Sequence, residues 1–359
     1  MAHLKVHLNQ ILENIEQINT FLSEHNIKWS LIAKVLGGEK KILKPLLSSP
    51  IVKNLHSIGD SRLYSLKIIK SINPNIKTMY IAPPAVKSAK DIVQYADITL
   101  NSTFEAIEAL NTEAGKLGKI HEIIIMIELG ELREGILRED IIDFYSKVFV
   151  MDNIKVIGLG TNLGCMYGVM PTQDKLVQLS LYKQLLELRF NKPLPLISGG
   201  SSITLPLVED GKLPGDVNHF RIGEAAFLGT TPFDNSQFMN LHTNAFEFAS
   251  HILELREKDR IPDGTIGEGN VGHTAEIDPE GDSDTGTRAI VDFGLIDVEA
   301  TDLQPKEPSM EFAGTTSDLT VFDISESANL EVGDLVKYQL NYTAVARLMT
   351  SKFVKVEIT

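Results

Sequence analysis

Cysteine is almost absent from this chain: Cys165 is the only one in 359 residues, so no internal disulfide can form and a reducing compartment, the cytoplasm, is expected. Positive charge is also scarce. With 34 Lys and Arg against 48 Asp and Glu, the formal net charge is −14, and nucleic-acid backbones and anionic membrane surfaces repel a chain of that sign. No basic run with interleaved aromatics offsets this, so neither nucleic acid nor membrane is expected as a partner. No apolar stretch approaches the roughly 20 residues needed to cross a bilayer. The first residues lack the basic-then-apolar pattern of a secretory leader; instead Ile11, Ile15, Ile18 and Leu22 recur at the spacing of an amphipathic helix. Metal-ligand spacing is missing too. Among the nine histidines, His251 and His273 stand far apart in unlike contexts, so no metal site is expected and solvated surface histidines are the better reading.

Apolar residues make up 43% of the chain, enough for a large core and, at this length, for two domains. Eight short β-rich runs alternate with segments of helical period: Trp29 to Lys34, Leu55 to Asp60, Lys77 to Ala82, Asp97 to Ser102, Ile123 to Gly130, Val156 to Asn162, Leu194 to Gly200 and His219 to Ala226. Eight strand-helix repeats predict an α/β fold, a closed (β/α)8 TIM barrel, over residues 8–231. An open doubly wound sheet remains the alternative. Its glycine fingerprint is absent after the first strand, however, where Gly37 and Gly38 stand alone. Beyond Thr231 the texture turns to alternating segments such as Arg288 to Phe293, Thr320 to Ile324 and Leu335 to Leu340. These predict a mostly β domain over residues 232–359, with residues 1–7 as candidates for pairing with it. Asp263 to Gly286, rich in turn-formers, reads as a long mobile or partner-contacting loop.

Lys34 closes the first apolar strand. By itself it reads as an ordinary solvated lysine, yet a lysine at the carboxyl end of a barrel strand can be partly desolvated, which favours the neutral amine that attacks an aldehyde. Strand seven runs into Ser198-Gly199-Gly200-Ser201-Ser202 and strand eight into Arg221-Ile222-Gly223. Loops seven and eight are where barrels hold phosphate on glycine-opened backbone N–H groups and hydroxyls; plain turns with solvated serines are the competing reading. Cys165, assigned to strand six just past that run, reads as buried rather than nucleophilic. Glu131, Glu134, Glu139 and Asp140 read as a solvated acidic face.

Six segments in order, Ala33-Lys34-Val35, Ser57-Ile58-Gly59-Asp60-Ser61-Arg62, Leu129 to Gly135, Gly160 to Cys165, Ser198-Gly199-Gly200 and Arg221 to Glu224, resemble the fold-type III pyridoxal phosphate enzymes of the alanine racemase type. Within that superfamily the chain is most similar to the ornithine racemase-like amino-acid racemases. The resemblance implies that Lys34 carries pyridoxal 5′-phosphate as a Schiff base and moves a proton on one face of the substrate. It implies Arg133 at the cofactor's phenolate oxygen and Asn162 against the ring. Ser202, the backbone of Ile222 and Gly223, and the Tyr342 hydroxyl would hold the phosphate, with Arg221 at the pyridine nitrogen. A guanidinium there disfavours ring protonation, so the ring is a weaker electron sink and proton exchange prevails over transamination. A structural salt bridge from Arg221 to Glu224 is the competing reading.

Racemisation also needs an acid/base on the opposite face. The family places a tyrosine there in a Gly-Tyr-x-Asp segment supplied by the other subunit; here Gly294-Leu295-Ile296-Asp297 has leucine instead. Asp297 stays as a substrate-side candidate, or as a buried structural aspartate. The segment Gly314 to Asp318 resembles the loop that reaches a partner's site, making Thr316 and Ser317 substrate contacts and Asp318 the catalytic candidate; a hydroxyl-rich turn is the alternative. Leu319 stands where ornithine racemases tend to have histidine. The resemblance implies a head-to-tail homodimer that racemises an amino acid, ornithine or another basic one. Two rivals are a decarboxylase of the same fold and a non-catalytic pyridoxal-phosphate-binding protein.

Overall fold

The structure is a computed structural model and describes residues 1–265, 267, 272–275, 285–325 and 329–359. The chain divides into two compact units, Asn9–Thr243 on one side and Met1–Leu8 with Asn244–Thr359 on the other.

After the short strand β1 (His3–Val6), the helix Leu8–Glu24 leads into the first unit, with Ile11, Ile15, Ile18 and Leu22 buried along one stripe as their spacing predicts. Eight strands then close a parallel barrel: β2 (Lys28–Ile32), β3 (Ser57–Asp60), β4 (Thr78–Tyr80), β5 (Ile98–Asn101), β6 (His121–Met126), β7 (Ile154–Gly160), β8 (Leu196–Gly200) and β9 (His219–Ile222). All eight runs read from the sequence are there, in order, and β9 pairs back to β2 with Ser30 opposite Arg221 and Leu31 opposite Ile222. The strands are short, about the number of residues needed to span a barrel filled by side chains. One buried cluster combines Met79, Ile98, Leu100, Ile124, Met126, Ile157 and Leu196. Elsewhere the barrel strands bury polar groups, among them Ser30, Ser57, Thr99, His121, Ser198 and His219. Two of these are histidines that the sequence reading had assigned to solvent.

Residues 232–243 stay with this unit because Asn14, fully buried on the first helix, clamps their backbone. Its amide donates to His242 O at 2.9 Å and its oxygen accepts the His242 N–H at 2.6 Å. A buried amide satisfied on both sides is a stronger tie than sequence texture reveals.

The second unit is a mostly β sheet. It contains β10 (Phe246–Asp259), β11 (His273–Thr274), β12 (Thr285–Val291), β13 (Leu303–Pro305), β14 (Met310–Thr315), β15 (Thr320–Ile324), β16 (Leu335–Leu340) and β17 (Lys355–Ile358). The order is β11-β14-β15-β12-β10-β1-β17, with β16 pairing both β10 and β13. Strand β1 is thus an interior member next to the edge strand β17, antiparallel to β10 and parallel to β17. Phe248, Phe293 and Tyr338 meet edge-on or tilted at 5.4–5.5 Å between centroids, an aromatic core for the sheet. Of the loop expected between Asp263 and Gly286, residues 266, 268–271 and 276–284 lie outside the described residues. No helix among the described residues is long and apolar enough to cross a membrane.

Candidate active site

Lys34 lies just past the carboxyl end of β2, in a single 3-10 turn over Ala33–Leu36. Gly37, in the left-handed region at φ 57°, closes the turn by donating its N–H to Lys34 O, a conformation that costs glycine little. Ala33, Val35 and Leu36 are buried while the Lys34 side chain is exposed, so the apolar neighbours fix the backbone and leave the amine at the barrel mouth.

Arg221, near the end of β9, is only 6% exposed. Its Nη1 donates to Ser198 O at 3.0 Å and to the Ser198 hydroxyl, and its Nη2 donates to Thr161 O and Asn162 Oδ1, both at 2.7 Å. The salt bridge to Glu224 does not form; carbonyls, a hydroxyl and an amide solvate the cation instead. Burial lowers the guanidinium to about 10, partly offset by Glu134 and Cys165 and reinforced by the Arg133 charge. Four of the five N–H donors are occupied, and the Nε–H has no partner among the described residues.

A second line of contacts starts at Asn162. Its Nδ2 donates to the Glu134 carboxylate, which pairs with the Arg133 guanidinium. Arg133 Nη1 also lies 2.9 Å from Cys165 Sγ. The ion pair with Glu134 raises Arg133 above its ordinary value. Arg133, Asn162 and Arg221 are therefore brought together, with Glu134 as the carboxylate between the two cations. Cys165 is exposed on the loop after β7, not buried in the strand as its sequence context suggested. The acidic cluster also resolves differently. Glu131, 1% exposed, accepts the backbone N–H groups of Cys165, Tyr167 and Val169 at 3.0, 2.7 and 3.1 Å. Burial works against its ionisation, but the N–H groups of Tyr167, Cys165, Val169 and Gly168 prevail and hold the carboxyl below its ordinary value. This carboxylate shapes the loop beside Arg133 rather than facing solvent.

At the other side of the mouth, β8 ends at Gly200, where a Cβ would stand 2.7 Å from the Thr204 side chain. The missing side chain lets the Ser202–Thr204 turn fold back closely, and Ser201 with Thr204 forms a capping box there. The Ser202 hydroxyl accepts the Ala225 N–H at 3.1 Å. This ties loop eight, with Ile222 at the end of β9 and Gly223 preceding the helix Glu224–Leu228, to loop seven.

In the second unit, the Gly294–Asp297 turn lies along the Thr316–Asp318 turn between β14 and β15. Leu295 N donates to Thr316 O and Ile296 N to Ser317 O, both at 2.9 Å. A Cβ on Gly294 would stand 2.5 Å from Asp318 N, so this close approach requires glycine. Asp318 Oδ1 accepts the Ser317 and Thr316 hydroxyls at 3.0 and 3.4 Å. Asp297, 7% exposed, accepts the Ser351 hydroxyl at 2.6 Å and the Gly294 N–H at 3.4 Å. Thr316, Ser317, Asp318 and Asp297 are thus neighbours. Tyr342 opens the helix Tyr342–Leu348, which is capped by the Asn341 side chain.

Sequence reasoning missed several side chains around these candidates. His219, fully buried, contacts the Ser198 hydroxyl through Nδ1 at 2.8 Å and the Ser30 hydroxyl through Nε2 at 2.9 Å. Glu134 is the counter-ion of Arg133, and Asp60 is buried at the end of β3. The one available signal was period two: His219 stands two residues before Arg221 on β9, which puts both on one face of the strand.

The family model described as "Alanine racemase, N-terminal domain" matches residues 6–231. The chain is 31% identical over 357 residues to an ornithine racemase from Acetoanaerobium sticklandii, covering 99% of both. It is 26% identical over 352 residues to a lysine racemase from Thermotoga maritima, covering 98% of this chain and 97% of that one. Among solved structures, the alanine racemase of Clostridium difficile 630 superposes with a TM-score of 0.73 at 14% identity, covering 100% of this chain and 95% of that one. The alanine racemase of Bartonella henselae, solved with covalently bound pyridoxal phosphate, does so with a TM-score of 0.73 at 13% identity, covering 100% and 99%. These two likenesses concern the fold.

Proposed function

The chain belongs to the alanine racemase family, and from that premise we propose that it interconverts the L and D forms of a basic amino acid, ornithine first, with pyridoxal 5′-phosphate carried on Lys34. The relatives that match almost its whole length are an ornithine and a lysine racemase, which supports a basic substrate. The observation that carries the cofactor assignment is Arg221: a buried guanidinium with four N–H groups satisfied by the barrel and one, Nε–H, without a partner among the described residues. That donor suits a pyridine nitrogen, and the exposed Lys34 amine suits the aldehyde.

When bound, the cofactor supplies an electron-withdrawing ring that acidifies the α C–H of the amino acid. The protein's part is to hold and aim. Lys34 Nζ would hold the cofactor, and its amine would take and return the α proton on one face. Arg133, fixed by Glu134, would serve the phenolate oxygen, and Asn162 the ring. Ser202, the backbone of Ile222 and Gly223, and the Tyr342 hydroxyl would hold the phosphate. Arg221 would donate to the ring nitrogen and, being cationic, would disfavour its protonation, which favours returning the proton over transamination.

Leu295 leaves the opposite face without the tyrosine that alanine racemases use. Asp318 takes that role in this proposal, with Thr316, Ser317 and Asp297 contacting the substrate from a second copy of the chain in a head-to-tail homodimer. The lone cysteine and the acidic charge support a cytoplasmic location. The test is a chiral assay across single L-amino acids in deuterated water. Loss of optical purity with α-deuterium incorporation for ornithine or lysine is expected; release of carbon dioxide, or no exchange with any amino acid, overturns the proposal.

A further inference from the structure

Two acidic side chains have no place in the roles above, one at the end of a strand that flanks β2 and one at the start of the helix that follows the other flanking strand. Asp60 ends β3 and Glu224 follows β9, the two strands that pair with β2. In the barrel register Ile32 lies opposite Gly59 and Leu31 opposite Ile222. Asp60 is the residue after the last β2–β3 pair, and Glu224 opens the helix two residues after the last β2–β9 pair, so the two carboxyls leave the strands on either side of β2, where the chain runs on to Lys34. Asp60 is 1% exposed. Its Oδ1 accepts the Arg62 N–H at 2.8 Å, whereas Oδ2 is buried with no hydrogen-bond partner among the described residues. Glu224, half-buried, accepts the Thr230 hydroxyl at 3.3 Å. The Lys34 charge acts on both carboxyls, and Tyr80, on β4, also faces Asp60.

A lysine that works as a base has to lose a proton from Nζ and later regain one. An ordinary carboxyl is a poor store for it, because carboxyls and amines differ by about six pKa units. Here burial pushes Asp60 up to about 6, against the opposing pull of the Arg62 and Ser61 N–H groups, the Ser65 hydroxyl and Lys34. Burial likewise pushes Glu224 up to about 7, against Thr230 and Lys34. Both carboxyls are thus closer to the amine than carboxyls in water are.

We propose that Asp60 and Glu224 form a proton dock for Lys34, one carboxyl on each side, which holds the ammonium when Nζ is not covalently engaged and takes its proton when Nζ must be a free amine. In that step an Nζ–H bond breaks and an O–H bond forms on Asp60 Oδ2 or the Glu224 carboxyl. An ammonium–carboxylate pair becomes an amine and a carboxylic acid, with no net change of charge. Both are positioning residues that act through Lys34, so the proposal rests on the reading of Lys34 as the working base.

Asp60→Asn and Glu224→Gln keep the shapes and remove the proton store. In the full-length chain stripped of cofactor, acetylation by N-hydroxysuccinimide acetate at pH 8 is followed by mass spectrometry, with the exposed Lys147 as internal reference. Loss of a flanking carboxylate raises the rate at Lys34 relative to Lys147 by at least about three-fold in either variant. With the cofactor loaded, the acidic limb of the α-deuterium exchange profile moves by at least about half a pH unit while the alkaline limb stays in place. An unchanged Lys34 to Lys147 ratio in both variants overturns the dock; if Asp60→Asn does not fold, Glu224→Gln alone decides. Because labelling needs no cofactor, a wild-type chain that never takes up pyridoxal phosphate would refute the functional reading without touching this result.

Discussion

The Ser198 hydroxyl lies 2.8 Å from His219 Nδ1 while it accepts an N–H from Arg221. A guanidinium can only donate, so the single hydroxyl proton of Ser198 goes to His219. His219 Nδ1 is then the acceptor and Nε2 carries the proton, donating to Ser30 Oγ at 2.9 Å; Ser30 in turn lies 2.7 Å from Ser57 Oγ. Complete burial keeps the ring neutral, well below its ordinary value, with the charges of Arg221, Lys28 and Lys77 adding to the effect. The tautomer of a histidine in the barrel interior is therefore set by the cation at the barrel mouth.

Ser198→Ala breaks this chain at its first link. The Arg221 Nη1 keeps only the Ser198 carbonyl, and a hydrogen bond to a charged group is worth about 1.5–3 kcal/mol. A roughly ten-fold weaker hold on pyridoxal phosphate is expected, together with more pyridoxamine formed by abortive transamination. Equilibrium binding and product chromatography check the two effects.

Of all this, the sequence revealed the scaffold and the outline of the site. The stripe Ile11, Ile15, Ile18, Leu22 and the eight apolar runs are local patterns of period 3.6 and of short β-rich runs, and each became its element. Lys34, Arg221 and Ser202 stand at strand ends, where barrel chemistry collects. What stayed hidden depends on closure. His219 meets Ser30 across 189 positions, and Glu131 reaches N–H groups 34 to 38 positions away. Composition cannot tell a carboxylate that organises a loop from one that faces water. Leu295 was visible as a departure from the family pattern, but its neighbour across the turn, Thr316, was not.

Glu131→Gln tests that organising role. The amide keeps one acceptor oxygen but puts an N–H donor where a carboxylate oxygen had accepted, and a buried group left unsatisfied costs about 1–3 kcal/mol. Lower thermal stability and faster proteolysis within residues 163–169 are expected, read by calorimetry and limited digestion, with Cys165 labelled faster by a maleimide.

Acid weakens this fold through its buried histidines. Burial lowers His121, 3% exposed and 3.1 Å from the Thr99 hydroxyl, to about 4, and it lowers His56 to about 4 as well. The folded chain binds fewer protons at these rings than the unfolded chain, so their contribution is present above pH 6.5 and is lost as pH falls from 6.5 towards 4. Asp60 and Glu224, raised by burial, act in the opposite direction over the overlapping window. His121→Gln removes one histidine contribution, worth roughly 2 kcal/mol by pH 5. The fall in Tm between pH 7 and pH 5 is accordingly smaller in the variant than in the parent, and an equal fall in both contradicts the assignment.

The most direct test of the whole account is at Lys34. The purified chain is incubated with pyridoxal 5′-phosphate, reduced with borohydride, digested and analysed by mass spectrometry. One pyridoxyl phosphate group on Lys34 Nζ, and none in Lys34→Ala, is the predicted result. A label spread over surface lysines at the level of Lys34, or a Lys34 peptide that remains unmodified, contradicts it.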